Sequence, residues 1–147
     1  ATNFFAVEYA ATAVAKLVRR AARHRLTNLR AIAADARCVI IHCVPDASVA
    51  AYHIYFPDPW PKTRHHHRRL VSHAFAPHLA RTLTPGGALH LATDVHPLLE
   101  EFAANLEAAG LRGHLGAPPP PRPQTKYEKR YAGGVTHYAR FTRPSLR

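Results

Sequence analysis

The chain has 147 residues, with 20 Lys or Arg against 9 Asp or Glu, a formal charge of +11 before its 12 His are counted. That length holds one domain at most, and the cationic excess points to a polyanionic partner, nucleic acid or an acidic membrane surface. No apolar run approaches a membrane span, no signal-peptide pattern opens the chain, and Cys38 and Cys43 fit neither a disulfide framework nor a zinc pair.

In chain order, Asn3-Phe4-Phe5-Ala6-Val7-Glu8 reads as a short buried strand ending in an acid. Residues 10–25 carry helical spacing, with Val14, Leu17, Val18, Ala21 and Ala22 on one face and Lys16, Arg19, Arg20 and Arg23 opposite. Residues 29–36 read as a second strand that runs out at Asp35. A short apolar segment, 38–44, an optional helix in the alternating pattern, precedes the loop Pro45-Asp46-Ala47-Ser48, and its two Cys are expected as buried thiols of a reducing cytoplasm. Aromatic and β-branched residues make 52–56 a strand. Residues 70–83 suit a helix broken at Pro77, which fits a first helical turn. Thr84-Pro85-Gly86-Gly87 is a turn, and 88–94 a strand with a terminal acid. Leu98, Leu99, Phe102 and Leu106 share one face of a helix over 97–109 that Gly110 ends. Residues 112–124 read as loop, with four prolines at 118–121, residues 125–131 are polar, and 134–142 alternates as a final strand. Alternating strands and helices of this kind specify an α/β fold with a mostly parallel, doubly wound sheet. No Met occurs, so the chain is expected to continue upstream of residue 1.

The densest chemistry lies in Tyr55-Phe56-Pro57-Asp58-Pro59-Trp60-Pro61-Lys62-Thr63-Arg64-His65-His66-His67-Arg68-Arg69. Pro57 and Pro59 fix their own φ and push the preceding residues out of the α region, so Asp58 stands on a stiff backbone. Parallel strands ending in Glu8, Asp35, Asp58 and Asp94 would bring these acids to one edge, where open α/β sheets bind ligands. Glu8 suits the ribose hydroxyls of a nucleotide cofactor. The glycine turn of such a site would fall before residue 1, since no Gly-x-Gly-x-x-Gly occurs here. Lys62, Arg64, His65, Arg68 and Arg69 would grip phosphates. A metal at His65-His66-His67 is disfavoured, because adjacent side chains on an extended segment alternate sides.

Residues 55–69 closely resemble the signature of the tRNA (guanine-N7)-methyltransferase family, a Phe-Pro-Asp-Pro-Trp-Pro-Lys core followed by His and paired Arg. The resemblance runs from Asn3 to Arg143. It implies a Rossmann-like fold of the class I S-adenosyl-L-methionine-dependent methyltransferases, truncated at its N-terminus, with residues 1–147 as a single partial domain of a cytoplasmic enzyme. It also implies S-adenosyl-L-methionine as cofactor and tRNA as partner, without membrane or metal, and leaves monomer or homodimer open. Glu8 matches the acid that binds the cofactor ribose, and Asp35 with Ala36 the residues beside the adenine. Asp58 matches the catalytic aspartate, which also borders the cofactor. Lys62, Asp94 and Thr125-Lys126-Tyr127-Glu128 match residues that reach the target guanine, and Arg64, His65, His66, His67, Arg68 and Arg69 would face the RNA. The departures are Tyr127 for Phe, His67 for Lys, and the absent glycine loop, without which the sheet is expected to be open in its middle. Two rival readings exist. One is an amino-group methyltransferase, whose related motif runs (Asp/Asn)-Pro-Pro-aromatic. The other is a basic RNA-binding module that no longer catalyses.

Overall fold

The computed structural model describes residues 2–130 and 134–145, so Tyr131, at the end of the polar stretch, lies outside the described residues. The chain divides into two compact units, residues 1–44 and 45–147. The described strands form two sheets, of two and four strands.

In the first unit β1 (Phe4–Glu8) pairs in parallel with β2 (Leu29–Ala33), Glu8 opposite Ala33. They are joined by α1 (Ala11–Arg23), which buries Ala21, half-buries Val14 and Leu17, and leaves Val18 exposed. The strand expected over 29–36 stops at Ala33. Asp35 then accepts a hydrogen bond from the Arg37 backbone N–H at 2.8 Å and caps α2 (Ala36–Cys43), so the apolar run 38–44 lies mostly in a helix. A short apolar run does not separate helix from strand by periodicity, but an Asx cap does. Two sequence expectations are corrected in this unit. Cys38 and Cys43 are both exposed, because α2 buries only Ile40. Phe4 and Phe5 are 53% and 60% exposed, so β1 is not a buried strand; a two-stranded sheet under one helix leaves much of each strand bare.

In the second unit the strand order is β3 (Val49–Tyr55), β4 (Leu83–Thr93), β6 (His137–Thr142), β5 (Arg112–Leu115). β3 and β4 run parallel, joined through α3 (Ala76–Thr82), which carries Pro77 in its first turn. β6 runs antiparallel to both β4 and β5. The expected turn at 84–87 is kept inside β4. Leu83 and Ala88 face Val49 and Ala51, only two residues apart on β3, so the four residues between them loop out, with Gly86 at φ 77°. α4 (His96–Ala108) buries Leu98, Leu99, Phe102, Ala103 and Leu106. It ends where Gly110, at φ 87°, donates to Glu107 O and Leu111 donates to Leu106 O, a Schellman closure. These apolar residues join Leu79, Leu83, Leu89, Leu91 and Phe141, each almost wholly buried, in one core.

Residues 112–115, expected as loop, form β5, and all four are exposed. It exists through pairing with β6, which demands a close backbone approach at Gly113. A Cβ there would stand 2.1 Å from Arg140 O and 2.7 Å from Phe141 Cα. Gly113→Ala is therefore expected to force β5 off β6, cost about 3 kcal/mol, and lower the melting temperature by on the order of 10 °C.

Candidate active site

Because β3 and β4 are parallel, their carboxyl ends share one edge of the four-stranded sheet. Asp58 follows β3 and Asp94 follows β4; both are exposed at that edge. Phe56 prolongs the ladder by donating its N–H to Ala92 O at 2.7 Å. Its backbone then turns to φ 52°, and Trp60 at the far end of the loop takes φ 43°. Left-handed backbone at a non-glycine residue costs about 1–2 kcal/mol, so the Pro-Asp-Pro loop is held between two strained residues.

The basic run after the loop winds into a 3₁₀ segment, Thr63–Arg68, that follows Lys62. Lys62, Arg64, His67 and Arg68 are exposed, while His65, His66 and Arg69 are half-buried. The Arg68 guanidinium lies 5.0 Å from the centre of the Trp60 ring, and the His65 ring lies 5.8 Å away on a tilt. Trp60 is thus half-buried in a cationic cluster rather than lost in the core. Among the described residues no three His, Cys, Asp or Glu gather so as to hold a metal.

The segment 122–128 folds onto the same edge. Its Tyr127 ring stacks on Phe56 at 5.4 Å, and the Arg122 guanidinium lies 4.3 Å from the centre of the Tyr55 ring. Thr125 and Glu128 form a capping box that starts α5 (Lys126–Arg130): the Thr125 N–H donates to Glu128 Oε2 at 2.6 Å, and the Glu128 N–H donates to Thr125 Oγ1 at 3.2 Å. Arg122 donates two further bonds to the Glu128 carboxylate, at 2.9 and 2.7 Å, and Tyr138 Oη a fourth at 2.9 Å. The Arg122 hydrogen bonds, more than burial opposes them, hold the Glu128 pKa down at about 2. Glu128 is buried; Lys126 and Tyr127 are exposed.

In the first unit the parallel register sets Glu8 beside Ala34, whose N–H donates to Glu8 O at 3.1 Å, so Glu8 and Asp35-Ala36 meet at one strand edge. Glu8 is exposed, with Oε1 accepting from the Ala10 N–H at 2.9 Å. Its Oε2 suits a ribose diol, so the arrangement fits the nucleoside end of a cofactor. Both Asp35 oxygens are taken by Arg37, whose side-chain hydrogen bonds draw the Asp35 pKa below the usual range. Asp35 thus shapes the edge more than it offers acceptors.

Sequence reasoning missed Arg122, Tyr138 and Glu101, whose carboxylate pairs with Arg69. The Thr-x-x-Glu spacing at 125–128 is itself a capping-box signal, but nothing local marks Arg122 or Tyr138 as its partners.

A family model described as "Putative methyltransferase" matches residues 1–138. A tRNA (guanine-N(7)-)-methyltransferase of Halorhodospira halophila is 48% identical over 71% of this chain and 48% of its own length. One from Nitrosomonas eutropha is 40% identical over 87% of this chain and 59% of its own. The chain thus spans about half the length of the curated relatives it matches. Among solved structures, an S-adenosylmethionine-dependent O-methyltransferase of Thermotoga maritima superposes with a TM-score of 0.65 at 15% identity, over 99% of this chain and 51% of that one. That likeness shows the fold, the Rossmann-like α/β fold of such methyltransferases.

Proposed function

Because the chain belongs to the methyltransferase family that this model describes, we propose that it serves the transfer of a methyl group from S-adenosyl-L-methionine to N7 of a guanine in tRNA. We further propose that residues 1–147 are part of one domain of a cytoplasmic enzyme. The observation that carries the reading is the loop of Asp58, set beside Asp94 at one strand edge and continued directly by an exposed basic turn. Relatives at 40–48% identity bear the same activity in their names.

Bound S-adenosyl-L-methionine supplies a methyl group on an electrophilic sulfonium. Glu8 would accept hydrogen bonds from the ribose, and Ala36 would help hold the adenine end. Guanine N7 has a lone pair and no proton, so no general base is needed. Asp58 orients the base edge and stabilises the positive charge that grows on the ring. Holding N7 in line with the methyl group supplies most of the rate. Asp94, Lys126 and Tyr127 border the base, and Lys62, Arg64, His67 and Arg68 take phosphates.

Calorimetric titration of S-adenosylhomocysteine into this chain tests the cofactor half. Micromolar binding that Glu8→Ala abolishes is the expected result; no binding to the folded chain would deny it a cofactor site of its own. The RNA half is read from salt. The slope of log K for tRNA against log salt is expected between about −2.8 and −3.6, about −0.7 to −0.9 for each of about four phosphate contacts, and a slope near zero would remove the basic turn from the interface.

A further inference from the structure

Arg69 closes the basic run, and the sequence groups it with the phosphate-binding residues. Its guanidinium is turned the other way. The side chain is 12% exposed. Nε donates to Pro59 O at 2.9 Å, and Nη2 reaches Trp60 O at 3.4 Å and His66 Nε2 at 2.8 Å. A guanidinium has no acceptor, so His66 Nε2 accepts this bond. Nη1 pairs with the Glu101 carboxylate. All three nitrogens are therefore committed to the protein.

Glu101 and Asn105 stand one turn apart on α4 and reach the same segment. Asn105 Nδ2 donates to Val71 O at 2.8 Å, two residues beyond Arg69. α4 is anchored in the core by Leu98, Leu99, Phe102 and Leu106, so both groups project from a rigid base. What Glu101 holds, through Arg69, is the loop between two left-handed residues, Phe56 and Trp60. Strain of that kind persists only where the surroundings over-determine it. The carbonyls that Arg69 binds belong to Pro59 and Trp60, directly after Asp58.

We infer that Arg69, fixed by Glu101, is a positioning residue: it pins the Pro59 and Trp60 carbonyls to α4 and so sets where Asp58 stands. The inference rests on the reading of Asp58 as catalytic, but the pin itself is measurable without catalysis. Trp60 is the chain's single tryptophan, so its fluorescence reports on this loop alone.

The test uses Arg69→Gln and Glu101→Gln in the whole chain, with Arg64→Gln as a control for charge. Acrylamide quenching of Trp60 is expected to rise about twofold or more in the first two variants, with circular dichroism retained, and to stay unchanged in the control. Should Arg69→Gln fail to fold, Glu101→Gln, outside the motif, decides the point. In tRNA binding, Arg64→Gln is expected to flatten the salt slope by about 0.7–0.9, while Arg69→Gln leaves it unchanged. Where methyl transfer is measured, both loop variants lower kcat and leave KM for tRNA in place. Unchanged quenching in Glu101→Gln and any folded Arg69→Gln overturns the pin. So does a salt slope that Arg69→Gln flattens as much as Arg64→Gln, which would make Arg69 a phosphate ligand. If the chain binds no tRNA at all, the functional reading falls, and the quenching result still decides the role of Arg69.

Discussion

Asp58→Asn is expected to lower single-turnover methyl transfer to tRNA by about 100-fold or more, while tRNA affinity stays within about twofold. The substitution keeps size and shape and removes only the charge. Guanine N7 needs no deprotonation, so the loss would not come from a missing base. It would come from the charge on the purine ring, which grows only as the methyl group transfers; a group that acts there changes kcat and spares binding. The structure gives Asp58 the means to do this. It is exposed at the carboxyl edge of β3, on a loop stiffened by Pro57 and Pro59 and fastened by Arg69. In the proposed reading phosphate contacts would fall to other residues, Lys62, Arg64, His67 and Arg68, which are exposed on the neighbouring turn. An unchanged single-turnover rate would take Asp58 out of the reaction. A parallel fall in rate and affinity would make it a binding residue. Identification of 7-methylguanine in the product would separate this chemistry from methylation of an exocyclic amine.

How far the sequence foretold the molecule depends on how far apart the interacting residues lie. α4 was legible because Leu98, Leu99, Phe102 and Leu106 repeat with the helical period and Gly110 supplies the left-handed cap. The parallel pair β3–β4 was legible from alternating strand and helix, and so was the common edge of Asp58 and Asp94. β5 was not: its exposed residues Arg112–Leu115 have no burial period, and it forms because a distant strand, β6, offers an edge. α2 enters the alternating pattern only as an optional helix, because its decisive signal is one carboxylate, Asp35, folded back on Arg37. The candidate site divides the same way. Local stiffness at Pro57 and Pro59 could be read directly. The direction of the Arg69 guanidinium could not, because it is set by Glu101, 32 residues further on. Charge density along a chain says how many cations a segment carries, not which of them face water.

Glu128 carries the other large effect. Its carboxylate accepts from Arg122 twice, from the Thr125 N–H and from Tyr138 Oη, and its pKa is lowered from 4.5 to about 2. A group whose folded pKa is depressed contributes stability that is fully present above its unfolded pKa and is lost as pH falls through the folded one. The contribution of Glu128 should therefore be intact above about pH 4.5 and fade toward pH 2. Its size is about 3 kcal/mol from the shift in pKa. Glu128→Gln leaves Arg122 half-buried beside Tyr55 without its counter-charge, and the expected loss at neutral pH is about 2–3 kcal/mol. Tyr138→Phe removes one neutral donor and should cost about 1 kcal/mol. Urea unfolding across pH 5 to pH 2 checks the assignment. Other carboxylates titrate in that window too, so the informative quantity is the difference between the wild type and Glu128→Gln. It should shrink as pH falls, because protonation has by then done to the wild type what the substitution did to the variant. The same experiment decides the role of the Thr125-Lys126-Tyr127-Glu128 motif. With all four bonds made to the protein, Glu128 fixes the segment that carries Tyr127 against Phe56, and in the proposed reading Lys126 and Tyr127 would meet the base. A difference that stays constant with pH would mean the carboxylate is not held in this way, and would return Glu128 to the target guanine.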